Sequence, residues 1–310
     1  MPSDTYFTVP PDWTWYIVPY FFIGGIAGGA YFIAVLLDWF GRPEDRPIVR
    51  IGYYTAMVGA LVSAVLLVLD LTRPLRFWHM LFQSERFPAL MLKWWSPISI
   101  GSWALLAFGL LATLSAVGAL HDAGRIRRGG LLSTGPLARG VQAFGAFFGF
   151  FIAGYTGVLL STTNRPVWAD SHFVGLLFLL SGASTAAATL VLFGRKHPGH
   201  TAFSERWLGR FEAWVLMLEL LVLVIFLVSL GPVIEAWFNI WGLLLLVGVI
   251  GAGQLLPLAL HYRPGWFRGR RITDGGVASA VLVLIGGFLL RLTVIMVSHG
   301  IDRFPFSRSS

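Results

Sequence analysis

Two ionisable residues lie inside apolar segments that are long enough to cross a membrane. Glu219 falls near the middle of one segment, and Arg291 falls in the second half of another. A charged side chain at this depth costs several kcal/mol unless it is paired, so it marks a functional or tightly packed group. Two interpretations remain open. Either the two residues form a self-neutralising pair that locks two helices, or they face a cavity in which Glu219 relays protons and Arg291 orients an anionic or quinoid oxygen.

A second set of polar residues is predicted at the outer ends of the helices. Hydrogen-bonding groups at this depth suit a lipid-soluble quinone, whose two carbonyls need donors and whose reduction takes up protons. The alternative for each residue taken alone is an interfacial anchor or a helix cap. The set comprises Asp70, Arg73, Arg76, His79, Tyr155, Thr156, His172 and His299.

A third set falls at the inner ends of the helices. A charged side chain costs little free energy there, and a structural role is the simplest interpretation. Together with Gln254, its members are also compatible with an inner half-channel for protons. The set comprises Asp38, His121, Glu212 and His261.

The composition places these residues in a membrane protein. Of 310 residues, 56% are hydrophobic and 12% are charged, whereas about 25% are charged in a soluble domain. Several apolar runs reach the length of about 20 residues that crosses a bilayer. An ordinary soluble protein is therefore excluded. The excess of 23 Lys and Arg over 15 Asp and Glu reflects loops that orient a membrane protein rather than nucleic-acid binding.

Hydropathy, with Pro, Gly and charged residues taken as helix boundaries, predicts an all-α integral membrane protein. Residues 1–310 are predicted to form a single bundle of eight helices. Gly231-Pro232 is interpreted as a tight turn, because about 50 apolar residues are too many for one span. The loops carry 15 basic residues on one side and 7 on the other, which favours both termini outside, in the periplasm. The predicted helices are 16–40, 50–70, 96–120, 137–160, 170–193, 208–230, 235–261 and 272–299.

Aromatic residues near the outer ends of these helices resemble the belt that marks a membrane interface. They are Trp13, Trp15, Tyr16, Trp78, Trp94, Trp95, Trp168 and Trp237.

Cysteine and histidine limit the cofactors of the protein itself. Cysteine is absent, so there is no thiolate for an iron–sulfur cluster. The seven histidines fall in loops or at helix ends, whereas a diheme b-type protein needs imidazoles that face each other at two depths. The sequence therefore predicts neither haem nor an iron–sulfur cluster in this chain. A single haem site between His172 and His299, or between His121 and His261, stays open.

Five segments, taken in order, resemble the membrane subunit of polysulfide reductase and its NrfD-type relatives. Each segment is weak alone, but five in sequence are specific, and they cover nearly the whole chain. They are residues 24–31 (GGIAGGAY), 70–77 (DLTRPLRF), 96–103 (SPISIGSW), 155–161 (YTGVLLS) with Pro166-Val167-Trp168, and Leu290-Arg291.

The resemblance implies a haem-free anchor subunit of an oxidoreductase complex in a bacterial or archaeal cytoplasmic membrane. Its implied partners are a four-cluster ferredoxin-like iron–sulfur subunit and a molybdopterin catalytic subunit, and its implied substrate is menaquinone or ubiquinone, as quinone or quinol. By position, Tyr155 matches the tyrosine beside the quinone. Asp70 and Arg73 match the loop that meets the iron–sulfur subunit, and Arg76 belongs to the same loop.

One departure from the family concerns the first helix. Relatives bring Asn or His from this helix to the quinone, whereas this protein has Gly24 and Gly28 there. The expected replacements are Tyr31 or His172. Asp70, His79 and Tyr155 are expected to bind the quinone or to transfer its protons.

The leading hypothesis is a quinone-reactive subunit that is not catalytic alone and that exchanges electrons and protons with an iron–sulfur partner, with proton translocation left open. Two alternatives are an ion-coupled transporter, with Glu219 as the coupling acid, and a passive membrane tether. A transporter with a broken, Gly-rich first helix would show an internal repeat with matched interruptions. The stretch at residues 24–29 has no clear counterpart in the fifth helix.

Overall fold

The computed structural model describes residues 13, 15–71, 73–83, 88–195, 202–262 and 272–301. In these ranges, eight helices are long and apolar enough to cross a membrane. The predicted all-α class and its eight transmembrane helices are thereby confirmed, while the orientation of the termini stays a prediction. The helices are α1 (Ile17–Phe40), α2 (Arg46–Leu69), α3 (Pro97–Asp122), α4 (Pro136–Ser161), α5 (Val174–Gly194), α6 (Ala202–Ser229), α7 (Ile240–Tyr262) and α8 (Ile272–Ile301).

The largest differences from the predicted boundaries occur at the starts of α2, α5, α6 and α7. Helix α5 begins four residues later than predicted, at Val174. Helix α2 begins four residues earlier than predicted, with a proline in its first turn, where the missing N–H costs nothing. Helix α6 begins six residues earlier because its charged first turns continue the helix beyond the apolar part. Helix α7 begins five residues later, since the 3₁₀ segment Gly231–Trp237 precedes it. The amide oxygen of Asn239 caps α7 by accepting from the N–H of Trp241 at 2.8 Å.

The predicted break at Gly231-Pro232 is also present. Gly231 has a φ of +53°, a backbone conformation that glycine adopts without steric cost. The segment between α6 and α7 is therefore a seven-residue 3₁₀ turn rather than a two-residue one.

Helices α1 and α5 form the centre of the bundle. Helix α1 packs on α2, α4, α5 and α8, and helix α5 packs on α1, α4, α6 and α8. In the most apolar 18-residue stretch of α1, 72% of the residues are buried within the protein. The residues of these two helices are therefore the ones that can carry polar groups away from lipid.

Small residues bring α1 close to α4. A side chain at Gly28 would overlap the carbonyl oxygen of Gly149, and its Cβ would also lie 3.3 Å from the Cβ of Ala153. Close backbone approach of this kind maximises van der Waals contact between helices that share an apolar solvent. The Gly28 position thus has no space even for a methyl group.

Because the protein crosses the membrane eight times, its helix ends form two faces. The terminus face is defined here as the end of the bundle that holds Ile17, the first residue of α1, and Ile301, the last residue of α8. The opposite face holds Phe40, Asp122, Gly194 and Tyr262. The interfacial residues of the sequence analysis fall at the terminus face.

The predicted aromatic belt is correct only in part. Trp15, Trp94 and Trp95 are exposed, but Trp168 and Trp237 are buried, so the prediction is wrong for these two. For Trp168, the reason is that the loop after α4 folds into the bundle. There, its indole donates to the carbonyl of Val294 at 2.8 Å.

The tight contact of α1 with α4 generates a prediction for Gly28→Ala. The added methyl group would meet the Gly149 carbonyl, and overpacking of this kind costs about 1–3 kcal/mol. Gly140→Ala is the matched control in α4, because nothing lies within 4 Å of its Cβ position. We expect thermal unfolding in detergent, followed by circular dichroism, to show a lower melting temperature for Gly28→Ala and no decrease for Gly140→Ala. Equal melting temperatures would contradict the packing assigned to Gly28.

Candidate functional site

Arg291 is fully buried and joins α8 to α1 and α5. Its Nε donates to the carbonyl of Phe21 at 3.1 Å, and its Nη2 donates to the carbonyl of Phe178 at 3.3 Å. Its Nη1 donates to the Ser181 hydroxyl at 3.0 Å and to the Gly287 carbonyl at 2.8 Å. Each nitrogen of the guanidinium therefore has an oxygen partner, as a charge in a low-dielectric interior requires.

The Arg291 guanidinium is surrounded by aromatic rings and by a residue without a side chain. Its Cζ lies 5.2 Å from the ring centre of Phe178 and 5.7 Å from that of Phe22, within the range of cation–π attraction. A Cβ at Gly25 would come within 2.7 Å of Arg291 Nη2. Gly25 of α1 thus provides space that the guanidinium occupies.

Glu219 of α6 is buried and is connected to Arg291 through α5. The Ser184 hydroxyl lies 2.8 Å from Glu219 Oε2 and 3.1 Å from the carbonyl oxygen of Ser181. Ser181, one helical turn away, accepts from Arg291. Among the residues described, no Glu219 oxygen lies within 4.0 Å of an Arg291 nitrogen. The two charges are therefore linked by serines instead of forming a direct ion pair.

Two further buried side chains flank Glu219. Gln254 of α7 approaches its carboxyl group, yet neither amide atom of Gln254 has a hydrogen-bond partner among the described residues. Glu212, two turns before Glu219 on α6, is 6% exposed. The Oε1 atom of Glu212 also lacks a hydrogen-bond partner among the described residues.

Tyr155 lies in the last two turns of α4, near the terminus face. The side chain is buried, and its hydroxyl donates to the carbonyl of Pro97 in the first turn of α3. The ring stacks on Phe151 at 5.3 Å between centres. Gly101 leaves the room for this ring, because a Cβ there would overlap it. The tyrosine is thus held between α3 and α4 with an aromatic wall on one side.

Asp70 caps the end of α2 at the same face and is half-buried. Its carboxylate has no hydrogen-bond or ion-pair partner in the ranges that the structure describes. Partial burial raises the pKa of the Asp70 carboxyl above its ordinary value, because the charged form loses hydration. Asp70 therefore takes up a proton more readily than an exposed aspartate.

The loop that follows Asp70 carries three more of the predicted site residues. Arg73 and Arg76 are exposed beside and within the 3₁₀ segment Pro74–Met80. His79 is half-buried, and its ring centre lies 3.8 Å from that of Trp78. These side chains lie at the terminus face with Tyr155.

His172 is exposed just before α5, also at the terminus face. No hydrogen bond among the described residues joins it, or the loop after Asp70, to the Tyr155 hydroxyl. The structure therefore brings these predicted ligands to one face without assembling them into a single network.

Tyr31 does not lie with the other predicted quinone ligands. Its hydroxyl is 2.6 Å from Ser115 Oγ and donates to the carbonyl of Val141 at 3.3 Å. It packs on Gly145, ten residues before Tyr155 on α4 and thus about 15 Å from it along the helix. The structure places Tyr31 in the half of the membrane next to the opposite face.

A polar network at the opposite face, beyond Tyr31, was not predicted as a group. Asp38 accepts from Gln142 Nε2 at 2.6 Å and from the Tyr53 hydroxyl at 3.3 Å, and it pairs with Arg46 at 3.0 Å. With Asp122, these side chains line an open recess between α1, α2, α3 and α4. Asp38 is therefore tied to these helices and not to Glu212.

The buried loop between α4 and α5 was also missed. Arg165 is 1% exposed, with its Cζ 5.6 Å from the ring of Trp168, and the His299 ring packs on the same indole at 5.8 Å. Val167 has a φ of +70°, a strained conformation for a β-branched residue. Nothing in the periodicity of this loop indicates burial, because its sequence resembles an ordinary polar connection.

These features define a multi-pass membrane protein with buried ionisable side chains in its core and polar groups at one interface. The family model described as "Polysulphide reductase, NrfD" matches residues 7–301, and the protein belongs to this family. Relatives include the C subunit of polysulfide reductase from Wolinella succinogenes and protein NrfD of Escherichia coli, each 27% identical over 91% of this sequence and 93% of the relative. An NrfD homolog of Haemophilus influenzae is 27% identical over 79% of this sequence and 82% of its own.

The family assignment confirms the resemblance that the five segments carry. The relatives are bacterial, and a multi-pass protein of the bacterial inner membrane fits them. Among the residues that the structure describes, no group of three or more His, Cys, Asp or Glu side chains is placed to hold a metal ion.

The Arg291 contacts generate a prediction for Arg291→Gln. The substitution removes donors from buried carbonyls and leaves Glu219 without its bridged counter-charge, a change that costs about 3–5 kcal/mol. Arg210→Gln is the control, because Arg210 is exposed on α6. We expect the melting temperature in detergent to fall for Arg291→Gln and to stay unchanged for Arg210→Gln. A wild-type melting temperature for Arg291→Gln would show that the network contributes no stability.

Proposed function

We propose that this protein is the haem-free membrane subunit of a redox complex and that it exchanges electrons and protons between the quinone pool and an iron–sulfur partner. The partner set is a four-cluster ferredoxin-like subunit with a molybdopterin catalytic subunit. The observation that carries the proposal is the buried Tyr155, held at the terminus face of a member of the NrfD family. The Wolinella relative is named as part of a polysulfide reductase, which supports a role within a reductase.

The site between α3 and α4 offers a quinol a hydrogen-bond acceptor. The Tyr155 hydroxyl directs its proton at the Pro97 carbonyl, so its oxygen is left to accept a proton donor such as a quinol O–H. A bound quinone would instead need this hydroxyl to turn away from Pro97. Phe151, stacked on the tyrosine, supplies an aromatic surface for a flat ring. Menaquinol and ubiquinol both have this chemistry.

Asp70 supplies a proton acceptor at the same face. Oxidation of a quinol releases two electrons and two protons, and the unpartnered Asp70 carboxyl is suited to receive one of the protons. His79 follows in the same loop, and its imidazole is half-buried. Imidazole is the side chain whose ordinary pKa is nearest neutrality. Asp70 and His79 would thus move protons between the bound ring and the aqueous phase.

The exposed part of the loop is the proposed contact with the iron–sulfur partner. Arg73 and Arg76 project from it beside Leu75, which is 90% exposed. A surface that combines exposed apolar and cationic groups is typical of a binding site for another protein. Its position at the same face as Tyr155 and Asp70 would bring a partner cluster towards the quinol.

Glu219 and Arg291 are the buried charges beneath this site. In the proposed function, Glu219 holds a proton in the middle of the membrane while Arg291 fixes the position of the helices around it. The positive-inside distribution of the loop residues would place the terminus face in the periplasm.

A titration with a fluorescent hydroxyquinoline quinol analogue tests the quinol site on the purified full-length protein. We expect saturable quenching, weakened about fivefold by Tyr155→Phe, because this substitution removes one hydrogen bond worth about 1 kcal/mol. We expect Asp70→Asn to weaken the quenching as well, because a neutral amide oxygen is a weaker acceptor than a carboxylate. Tyr262→Phe is the control, since Tyr262 is 59% exposed at the other end of the bundle.

The outcomes separate the proposed function from a passive tether. A tether predicts that the variants and the wild-type protein behave alike and that quinone-linked activity of the assembled complex survives Tyr155→Phe. Absence of saturable binding by the folded protein, alone and with its co-purified subunits, would overturn the quinol site.

A further inference from the structure

The buried face of α6 carries two acids that the Tyr155 site does not use. Glu212 and Glu219 are seven residues apart, which places them on one face of the helix with a rise of about 10.5 Å between them. They are 6% and 2% exposed. Glu212 receives no hydrogen bond at Oε1 from any described residue, although Ser279 of α8 approaches the carboxyl group. A buried carboxyl oxygen without a partner needs a ligand or water.

Helix α7 adds a second unpartnered group to the same region. Gln254 is 1% exposed, and both its Nε2 and its Oε1 lack partners among the described residues. It lies at the end of the π-helical segment Leu245–Leu255. Wide helical turns of this kind recur at functional sites. Because Gln254 approaches Glu219, three polar atoms around the two acids have no partner in the described part of the protein.

His261 extends this line to the opposite face. It is exposed at the end of α7, and its imidazole packs on α6 at Gly209, where a Cβ would lie 3.2 Å from His261 Cε1. Gly209 precedes Glu212 by three residues, or about 4.5 Å along the helix. An imidazole at the aqueous end, a half-way acid and a deep acid therefore follow one another along α6.

We propose that His261, Glu212 and Gln254 line a proton path from the opposite face to Glu219. The proposal rests on the proposed function only in that the protonation of Glu219 is expected to follow the oxidation state of the bound quinol. The separation of the two acids is too long for direct transfer, so water must bridge them. The unpartnered atoms of Glu212 and Gln254 offer such water the polar partners it needs.

Each transfer conserves one proton. A proton that leaves Glu212 passes through the bridging water to the Glu219 carboxylate, and Glu212 is protonated again from the opposite face by way of His261. The Gln254 amide orients the water and does not itself gain or lose a proton.

The groups around the path define where it begins and ends. At the opposite face, Arg195 and Glu205 form an ion pair of 2.5 Å beside Gly276 of α8, so the two charges there offset each other. At the deep end, Glu219 binds Ser184 of α5, and the Arg291 guanidinium binds Ser181, one turn of α5 nearer the terminus face. Arg291 therefore presents a fixed positive charge just beyond Glu219. A buried guanidinium repels protons, and the path therefore stops at Glu219.

Single-cysteine accessibility tests the path without any quinone. Because the protein has no cysteine of its own, each variant carries one thiol. In oriented membrane vesicles, a small, cationic, membrane-impermeant methanethiosulfonate is expected to label His261→Cys and Glu212→Cys from the opposite face. Ala213→Cys is the control at equal depth, because Ala213 is buried beside Glu212 on another side of α6. Leu223→Cys is the control one turn beyond Glu219 and is also buried; both controls are expected to stay unlabelled.

Two results would overturn the path. One is labelling of His261→Cys without labelling of Glu212→Cys. The other is equal labelling of Glu212→Cys and Ala213→Cys, which would show general opening of the bundle. Failure of quinol-analogue binding would leave the labelling pattern unchanged, so the two proposals fail separately.

Proton uptake by the reconstituted complex tests the function of the path. With a pH-sensitive dye on the side of the opposite face, oxidation of the bound quinol is expected to be accompanied by uptake of one proton per complex from that side onto the Glu219 carboxylate, and this proton is expected to return to the same side when quinol binds again. Glu212→Gln is expected to abolish this uptake. Glu235→Gln, at an exposed carboxyl of the terminus face, is the control and is expected to keep it. Unchanged uptake by Glu212→Gln would overturn the proposal, as would uptake that requires sodium and not protons.

Discussion

A buried guanidinium in a low-dielectric bundle must have an acceptor for each donor direction, and this constraint organises the centre of the protein. The Arg291 donors reach the carbonyls of Phe21 and Phe178 and the hydroxyl of Ser181. These contacts fix α8 against α1 and α5, which are the central helices. They also require Gly25, whose missing side chain leaves the space for the guanidinium. Gly25 is thus explained by packing around a charge and Gly28 by the close approach of α4, within a helix that is continuous from Ile17 to Phe40.

The polar residues form separate groups because the helices that carry them are separate. Asp38, Arg46 and Gln142 satisfy one another between the first four helices at the opposite face. Glu212 and Glu219 lie on α6, which packs on α5 and α7 instead. A half-channel that included both Asp38 and Glu212 would have to cross α1 and α5, where the interior is tightly packed. Only the α6 and α7 members of the predicted inner set therefore belong to the proposed path.

The sequence predicts the helices well because each span is a long apolar run, and it distinguishes Glu219 and Arg291 from the other charged residues because charge in such runs is rare. The serine link between them could not be predicted, since Ser181 and Arg291 are 110 residues apart and polar serines are common in membrane helices. The sequence places Trp168 in the aromatic belt because it lies near the outer ends of the predicted helices, and the fold of its loop into the bundle has no periodic signal. The position of Tyr31, in contrast, follows from arithmetic: fourteen residues of α1 place it about 21 Å from the terminus face.

The same geometry bears on how the two ends of the bundle would be kept apart in the proposed function. Protons released at Asp70 and protons held on Glu219 must not exchange freely, or redox energy would be lost as a proton leak. Arg291 and the aromatic rings of Phe22 and Phe178 stand next to Glu219 on the side of the terminus face. The positive charge opposes proton entry, and the rings exclude water. The residue that holds the helices together would therefore also separate the two proton compartments, which accounts for a costly buried charge that a purely structural contact would not need.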